Sequence, residues 1–221
     1  MRIGHISPFW EQVSVESQHP QGGMIVHLTE QFTRLGHDVT VFASGDSRTA
    51  GTVVPVAPFS MRSYPAPKRH LAEALAMLAL EKAFATVPAL DIIHVHSGLS
   101  CLSLMRRSSI PIVATVYESL DVPEVIRVYR EFKEVALIAM FAEQLTHAPD
   151  LNWQAVISHE DMREANNRSA AVAKIARTYE AVYEWRALGL GRSNRAAPHL
   201  RPVRSLNGGR VEQGSVATFP Y

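Results

Sequence analysis

Over the first 46 residues the spacing of apolar positions changes twice, and the changes predict a strand, a helix and a second strand. Arg2-Ile3-Gly4-His5-Ile6 is a short apolar run. From Gly22-Gly23 onward Met24, Ile25, Leu28, Phe32 and Leu35 recur on one face at the helical period. Gly36 can take the left-handed cap that ends such a helix, and Val39 to Ala43 restarts as a buried strand. Between the first strand and the helix, Ser7 to Gln21 is polar with prolines near both ends, so an irregular connection is expected. Connections of that length usually carry a function.

The alternation continues down the chain. Thr52–Ala57 reads as a short strand, Ser60–Arg69 as a loop, and the alanine- and leucine-rich stretch His70–Thr86 as a helix. Ile92–His96 is the next strand, Leu99–Arg107 a short helix packing Leu102 and Met105, and Ile110–Val116 a β-branched strand. Val122–Phe132 follows as a charged helix, Val135–Phe141 as an apolar strand and Gln154–Ser158 as a last strand. Strands and helices that alternate in this way predict an α/β fold: a Rossmann-like, doubly wound, mostly parallel sheet with helices on both faces. In residues 161–188 a stripe of Val172, Ile175, Ala176, Tyr179, Val182 and Tyr183 predicts one long helix that packs back on that sheet. Beyond Leu188 the sequence turns to Gly, Arg, Ser, Asn and Pro without periodicity, which predicts disorder. The expected organisation is therefore a domain over 1–160, a closing helix over 161–188 and a tail over 189–221.

Composition narrows the class. With 47% hydrophobic and 19% charged residues the chain has the make-up of an ordinary globular protein, and a net charge of +1 gives no reason to expect nucleic acid. Residues 190–221 hold five arginines against one glutamate, so the positive charge is concentrated there. The single cysteine, Cys101, excludes an internal disulfide and fits a buried packing role in a reducing compartment. No signal-peptide run and no transmembrane-length apolar segment is visible, so a cytoplasmic location is expected, with peripheral membrane attachment open.

Some residues could carry chemistry. Gly22 and Gly23 would let backbone N–H groups approach a phosphate at a helix N-terminus, or they serve only as turn residues; neither a G-x-G-x-x-G fingerprint nor a P-loop is present. His94 and His96 point to one side of their strand, near its carboxyl end, where open parallel sheets bind ligands. A histidine that merely closes a hydrogen bond is the competing reading for both. A zinc site is disfavoured, since no third or fourth ligand stands at ligand spacing. Asp46 and Asp91 occupy turn positions where aspartate caps backbone N–H groups, and G-x-S-x-G does not occur. A nucleotide-binding oxidoreductase is disfavoured by the same missing glycine fingerprint.

Five segments in order carry a resemblance. Ile6-Ser7-Pro8-Phe9-Trp10, Gln21-Gly22-Gly23, Leu35 to Thr40 followed by Phe42 to Ser47, Asp91 to His96 with Pro111 to Thr115, and Pro149 to Trp153 resemble successive motifs of the N-terminal domain of family 4 glycosyltransferases. The resemblance covers roughly residues 1–160, and Ala173 to Trp185 is similar to the closing helix of the same enzymes. It implies transfer of a sugar from a nucleotide-sugar donor to a sugar or lipid-linked acceptor, with retention of anomeric configuration and no metal or other cofactor. It assigns His96 the place beside the transferred sugar as the catalytic candidate, and Gly22 and Gly23 the loop facing the donor phosphates.

The sequence also departs from that pattern. Met24-Ile25 follow the glycines where Thr-Glu is usual, and Tyr117-Glu118 stand where a histidine is common, leaving Tyr117 as the acceptor-side candidate. Ala139 and Ala142 replace small hydroxyl residues. After about Glu160 the donor-binding second domain should begin, and the sequence passes almost directly to the closing helix. An incomplete glycosyltransferase, inactive by itself and in need of a partner chain for a donor domain, is thus expected. The alternative is a non-catalytic module that binds a ligand or partner.

Overall fold

A computed structural model describes residues 1–18, 20–66, 68–157 and 169–188. The expected tail over 189–221 lies outside the described residues, as do Ser158 and the side chain of Val172. The strands are β1 (Arg2–Ile6), β2 (Asp38–Ser44), β3 (Thr52–Ala57), β4 (Ile92–Val95), β5 (Ile112–Val116), β6 (Ala136–Ala139) and β7 (Trp153–Val156). The helices are α1 (Pro20–Arg34), α2 (Arg69–Phe84), α3 (Leu102–Arg106), α4 (Pro123–Glu131), α5 (Ala142–His147) and α6 (Ser169–Ala187), with 3-10 turns at Met61–Ser63 and Leu99–Cys101. All seven strands form one sheet in the order β3-β2-β1-β4-β5-β6-β7, and every pairing is parallel. The chain winds outward from β1 in one direction and from β4 in the other, so the topological switch point lies between β1 and β4. At such a point the loops part and leave a crevice at the carboxyl ends of the strands.

Side-chain alternation divides the core into two layers. On one face Ile3, Val39, Val41, Ile92, Val113, Ala136 and Ile138 pack against Ile25, Leu28 and Phe32 of α1 and against Ile175, Tyr179, Val182 and Tyr183 of α6. The other face sets Phe42, Ile93, Val95, Ala114 and Leu137 against α2, α3 and α4. The buried side of α2 is mostly alanine (Ala72, Ala76, Ala79, Ala83), which lets the helix lie close to the strands.

Several boundaries differ from the sequence reading. α1 starts at Pro20, so Gly22 and Gly23 lie inside its first turn and do not precede it. Leu35 is half-exposed, because it falls just past the last helical residue, while Gly36 takes φ +84° and ends the helix as expected. The apolar run Val135–Phe141 is split: only Ala136–Ala139 is strand, and α5, which the apolar pattern hid, begins at Ala142. Gln144 makes that break by accepting the backbone N–H groups of Met140 and Phe141 and donating to the carbonyls of Val116 and Glu118.

The docking of α6 is the contact most open to test. Tyr179 and Tyr183 are fully buried by it. Tyr179→Ala should lower the unfolding free energy by about 3–5 kcal/mol in urea titration, as for other aromatic truncations in cores. An unchanged midpoint would show that α6 does not pack on the sheet.

Candidate functional site

Beside the switch point the inner layer stops being apolar. Register places His5 of β1 directly across from His94 of β4, and His96 follows two positions on, so three imidazoles share the face that α1 and α6 cover. All three are fully buried. Thr115 of β5 and Tyr117 just past its end continue the polar stripe beside the neighbouring strand, and α6 brings Tyr179 and Tyr183 down onto it.

Hydrogen bonds tie these groups into two sets. His96 Nδ1 is 2.9 Å from Tyr117 Oη, and His96 Nε2 is 2.9 Å from His5 Nδ1. His94 bonds Tyr183 Oη through Nδ1 and Thr115 Oγ1 through Nε2, and Tyr179 Oη is 3.1 Å from the same threonine. The rings also pack together, with His94 and His96 tilted against each other at centroids 3.8 Å apart and His5 stacked on Phe32 of α1. Among the described residues His5 Nε2 has no hydrogen-bond partner. An orphaned buried polar atom of this kind costs about 1–3 kcal/mol.

Burial decides the charge of the trio. Desolvation pushes the pKa of His5 down to about 3, and it holds His94 and His96 well below the usual imidazole value, with the neighbouring rings adding to the effect. The same desolvation raises the Tyr117 and Tyr183 phenols well above theirs. At neutral pH the whole cluster is therefore uncharged. Hydroxyls and imidazoles can satisfy one another in that state without a buried ion.

The sequence candidates fall as follows. His96 is brought to the switch point, but beneath the surface, with both ring nitrogens occupied; Tyr117, half-buried, is the member nearest solvent. His94 is a satisfied core histidine, the simpler of its two readings. Gly22 and Gly23 differ in kind. A Cβ on Gly22 would come within 2.5 Å of Ser17 Oγ and 2.9 Å of the Gln12 carbonyl, so the long loop folding over α1 requires a glycine there. A Cβ on Gly23 would meet nothing within 4 Å. The long loop itself is held rather than loose: Phe9 is fully buried with φ +59°, its carbonyl accepts Met61 N–H, and Glu11 pairs with Arg62. Asp46 accepts from Ser60, and Asp91 pairs with Arg2, whose guanidinium lowers the carboxyl pKa, so both are turn and strand-end clamps. Cys101 is buried with its thiol pushed up to about 11, which suits packing and not reactivity.

Two site residues escaped the sequence reading. His5 stands far from His94 in the chain, and only strand register unites them; its place on the inward-facing positions of β1, with Ile3, was the available signal. Glu118 is the other. Its carboxylate accepts Tyr129 Oη, its pKa is raised by burial, and it lies so close to Gly98 that a Cβ there would come within 1.7 Å of Oε1. That glycine, in the loop after β4, is what lets the carboxyl reach the carboxyl edge of the sheet.

Buried neutral histidines make stability depend on pH. Their folded pKa values lie below the unfolded value near 6.5, so the stability they contribute is full above that pH and is lost as the unfolded state takes up protons on acidification. For chelator-treated protein the unfolding free energy should fall between pH 7 and 5 by up to about 1.4 kcal/mol per pH unit per histidine. Urea titrations across that range check this, and His5→Phe should flatten the slope. A pH-independent free energy would contradict the burial of the trio.

Comparison with known proteins fits this architecture. The sequence matches the profile of Glycosyltransferase Family 4 over residues 22–172. Among solved structures the fold is similar to a sucrose-phosphate synthase chain from Thermosynechococcus elongatus, at a TM-score of 0.54 and 15% identity, over 83% of this chain and 98% of that one. No curated protein sequence matches significantly. With a seven-stranded parallel sheet and a family match across most of its length, the chain belongs to glycosyltransferase family 4.

Proposed function

We propose that this chain is the acceptor-side half of a retaining glycosyltransferase that moves a sugar from a nucleotide-sugar to a sugar or lipid-linked acceptor, and that it is not competent for transfer by itself. The observation that carries the second part is the route of the chain after β7. Only residues 157–168 separate β7 from α6, too few for a second α/β domain of about 50 residues or more, and α6 then packs on the same core. A donor-binding domain is not inserted at that point, so the nucleotide has to be held by another domain or a partner chain.

Chemistry points the same way. Departure of a nucleoside diphosphate demands groups that stabilise developing negative charge, and losing even one well-placed donor typically costs about 10²- to 10³-fold in rate. On this chain the first turn of α1 offers the positive end of a helix dipole, worth about 1 kcal/mol. Gly23 leaves open space there, as close approach by a phosphate would need. His96 is shut beneath the surface and offers no free nitrogen. The reaction proposed needs no metal. Among the described residues no helix is long and apolar enough to cross a membrane.

The burial of His96 also favours a second reading, a non-catalytic module that uses the same crevice to bind a ligand or partner. Two measurements test the proposal. Purified, monodisperse protein assayed with UDP-, GDP- and ADP-sugars should show no transfer, and robust transfer abolished by His96→Ala would overturn the incomplete-enzyme proposal. Gly23→Ala should leave the thermal midpoint equal or higher, since alanine favours a helix by about 1 kcal/mol over glycine, while weakening nucleotide diphosphate binding several-fold. Equal binding by both proteins would remove the phosphate role of this turn.

A further inference from the structure

We propose that His5, His94 and His96 form a binding site for one late first-row divalent cation, of the Zn²⁺ or Cu²⁺ class, buried between the sheet and α6. It is a site apart from sugar transfer and does not rest on that reading. Each imidazole offers a ligand nitrogen, and the three lie within 4.8 Å of one another. His94 lies on β4 and His5 at the facing position of β1, and His96, just past the end of β4, is tied to β1 by its N–H donating to the Ile6 carbonyl, so the parallel ladder sets their spacing.

The distances are near those a cation requires. Tetrahedral zinc with Zn–N of about 2.0–2.1 Å places its nitrogens roughly 3.3 Å apart. The His5 Nδ1 to His96 Nε2 separation of 2.9 Å has to open by about half an ångström, and the wider separations have to close by about 1.5 Å at most, within reach of ring rotation. An outer shell is already in place. His96 would bind through Nε2 while Nδ1–H donates to Tyr117 Oη, and His94 through Nε2 while Nδ1–H donates to Tyr183 Oη. Thr115, released from His94, keeps Tyr179 as its partner. Such outer partners fix the tautomer and orientation of metal-bound histidine.

The His5 ring is fully buried and would bind through Nδ1, the nitrogen that faces His96 Nε2. Burial keeps the imidazoles neutral, the state that binds metal. No carboxylate or thiolate belongs to the set, which selects for cations that accept neutral imidazole and against Mg²⁺ and Ca²⁺.

The test uses full-length chelator-treated protein labelled with ¹⁵N-histidine and titrated with ZnCl₂, with MgCl₂ and CaCl₂ as controls. The expected result is one zinc per chain by elemental analysis after gel filtration and a thermal midpoint raised by several degrees. Large ¹⁵N shifts should be confined to His5, His94 and His96, with His27, His70 and His147 unmoved and no response to Mg²⁺ or Ca²⁺. Cobalt substitution should give the visible absorption of a tetrahedral ion, and His5→Phe should abolish it. Because the shifts are read on the unmutated protein, a variant that fails to fold does not spoil the test. Absence of bound zinc, or zinc that leaves those three rings unshifted, would overturn the proposal.

Discussion

Three imidazoles in the middle of a sheet face are buried at low cost only when they are uncharged and most of their nitrogens find partners, as five of the six do here, and much of this structure follows from that constraint. His94 obtains its partners from Thr115 and from Tyr183 of α6, so the closing helix does more than cover apolar surface. It completes a polar network that would otherwise be left unsatisfied in the core. His96 obtains its partners from His5 and Tyr117, and the result is a histidine at the switch point that is fixed in place and withdrawn from solvent.

That withdrawal shapes the functional picture. In an open parallel sheet the crevice at the switch point is where ligands bind, and here its surroundings consist of the first turn of α1, the pinned loop of residues 7–18, and Tyr117 and Glu118 at the end of β5. In the proposed reading these groups form the acceptor-side wall, and the positive charge that a departing diphosphate requires comes from a second domain.

The fold was legible because the local signals agreed with one another: Ile3, Val39, Ile92 and Val113 recur in β-rich runs, α1 shows a helical stripe, and Gly36 marks its end. What stayed hidden was non-local. His5 joins His94 only through register, so a zinc site looked short of ligands along the chain while the folded sheet supplies a third imidazole. α5 escaped because the strand before it is ended by the side chain of Gln144 reaching back to Met140 and Phe141, a contact the apolar run does not reveal. The different standing of the two glycines was equally invisible, since it depends on where Ser17 and Gln12 fold back over α1.

The central claim is that the trio is buried and uncharged beneath α6. ¹⁵N spectra of the histidine rings, recorded on metal-free protein from pH 8 to 5.5, test it most directly. The account predicts that His5, His94 and His96 each keep one neutral tautomer throughout, and that Tyr183→Phe perturbs His94 before the other two. A midpoint near the ordinary imidazole value for any of the three would contradict it.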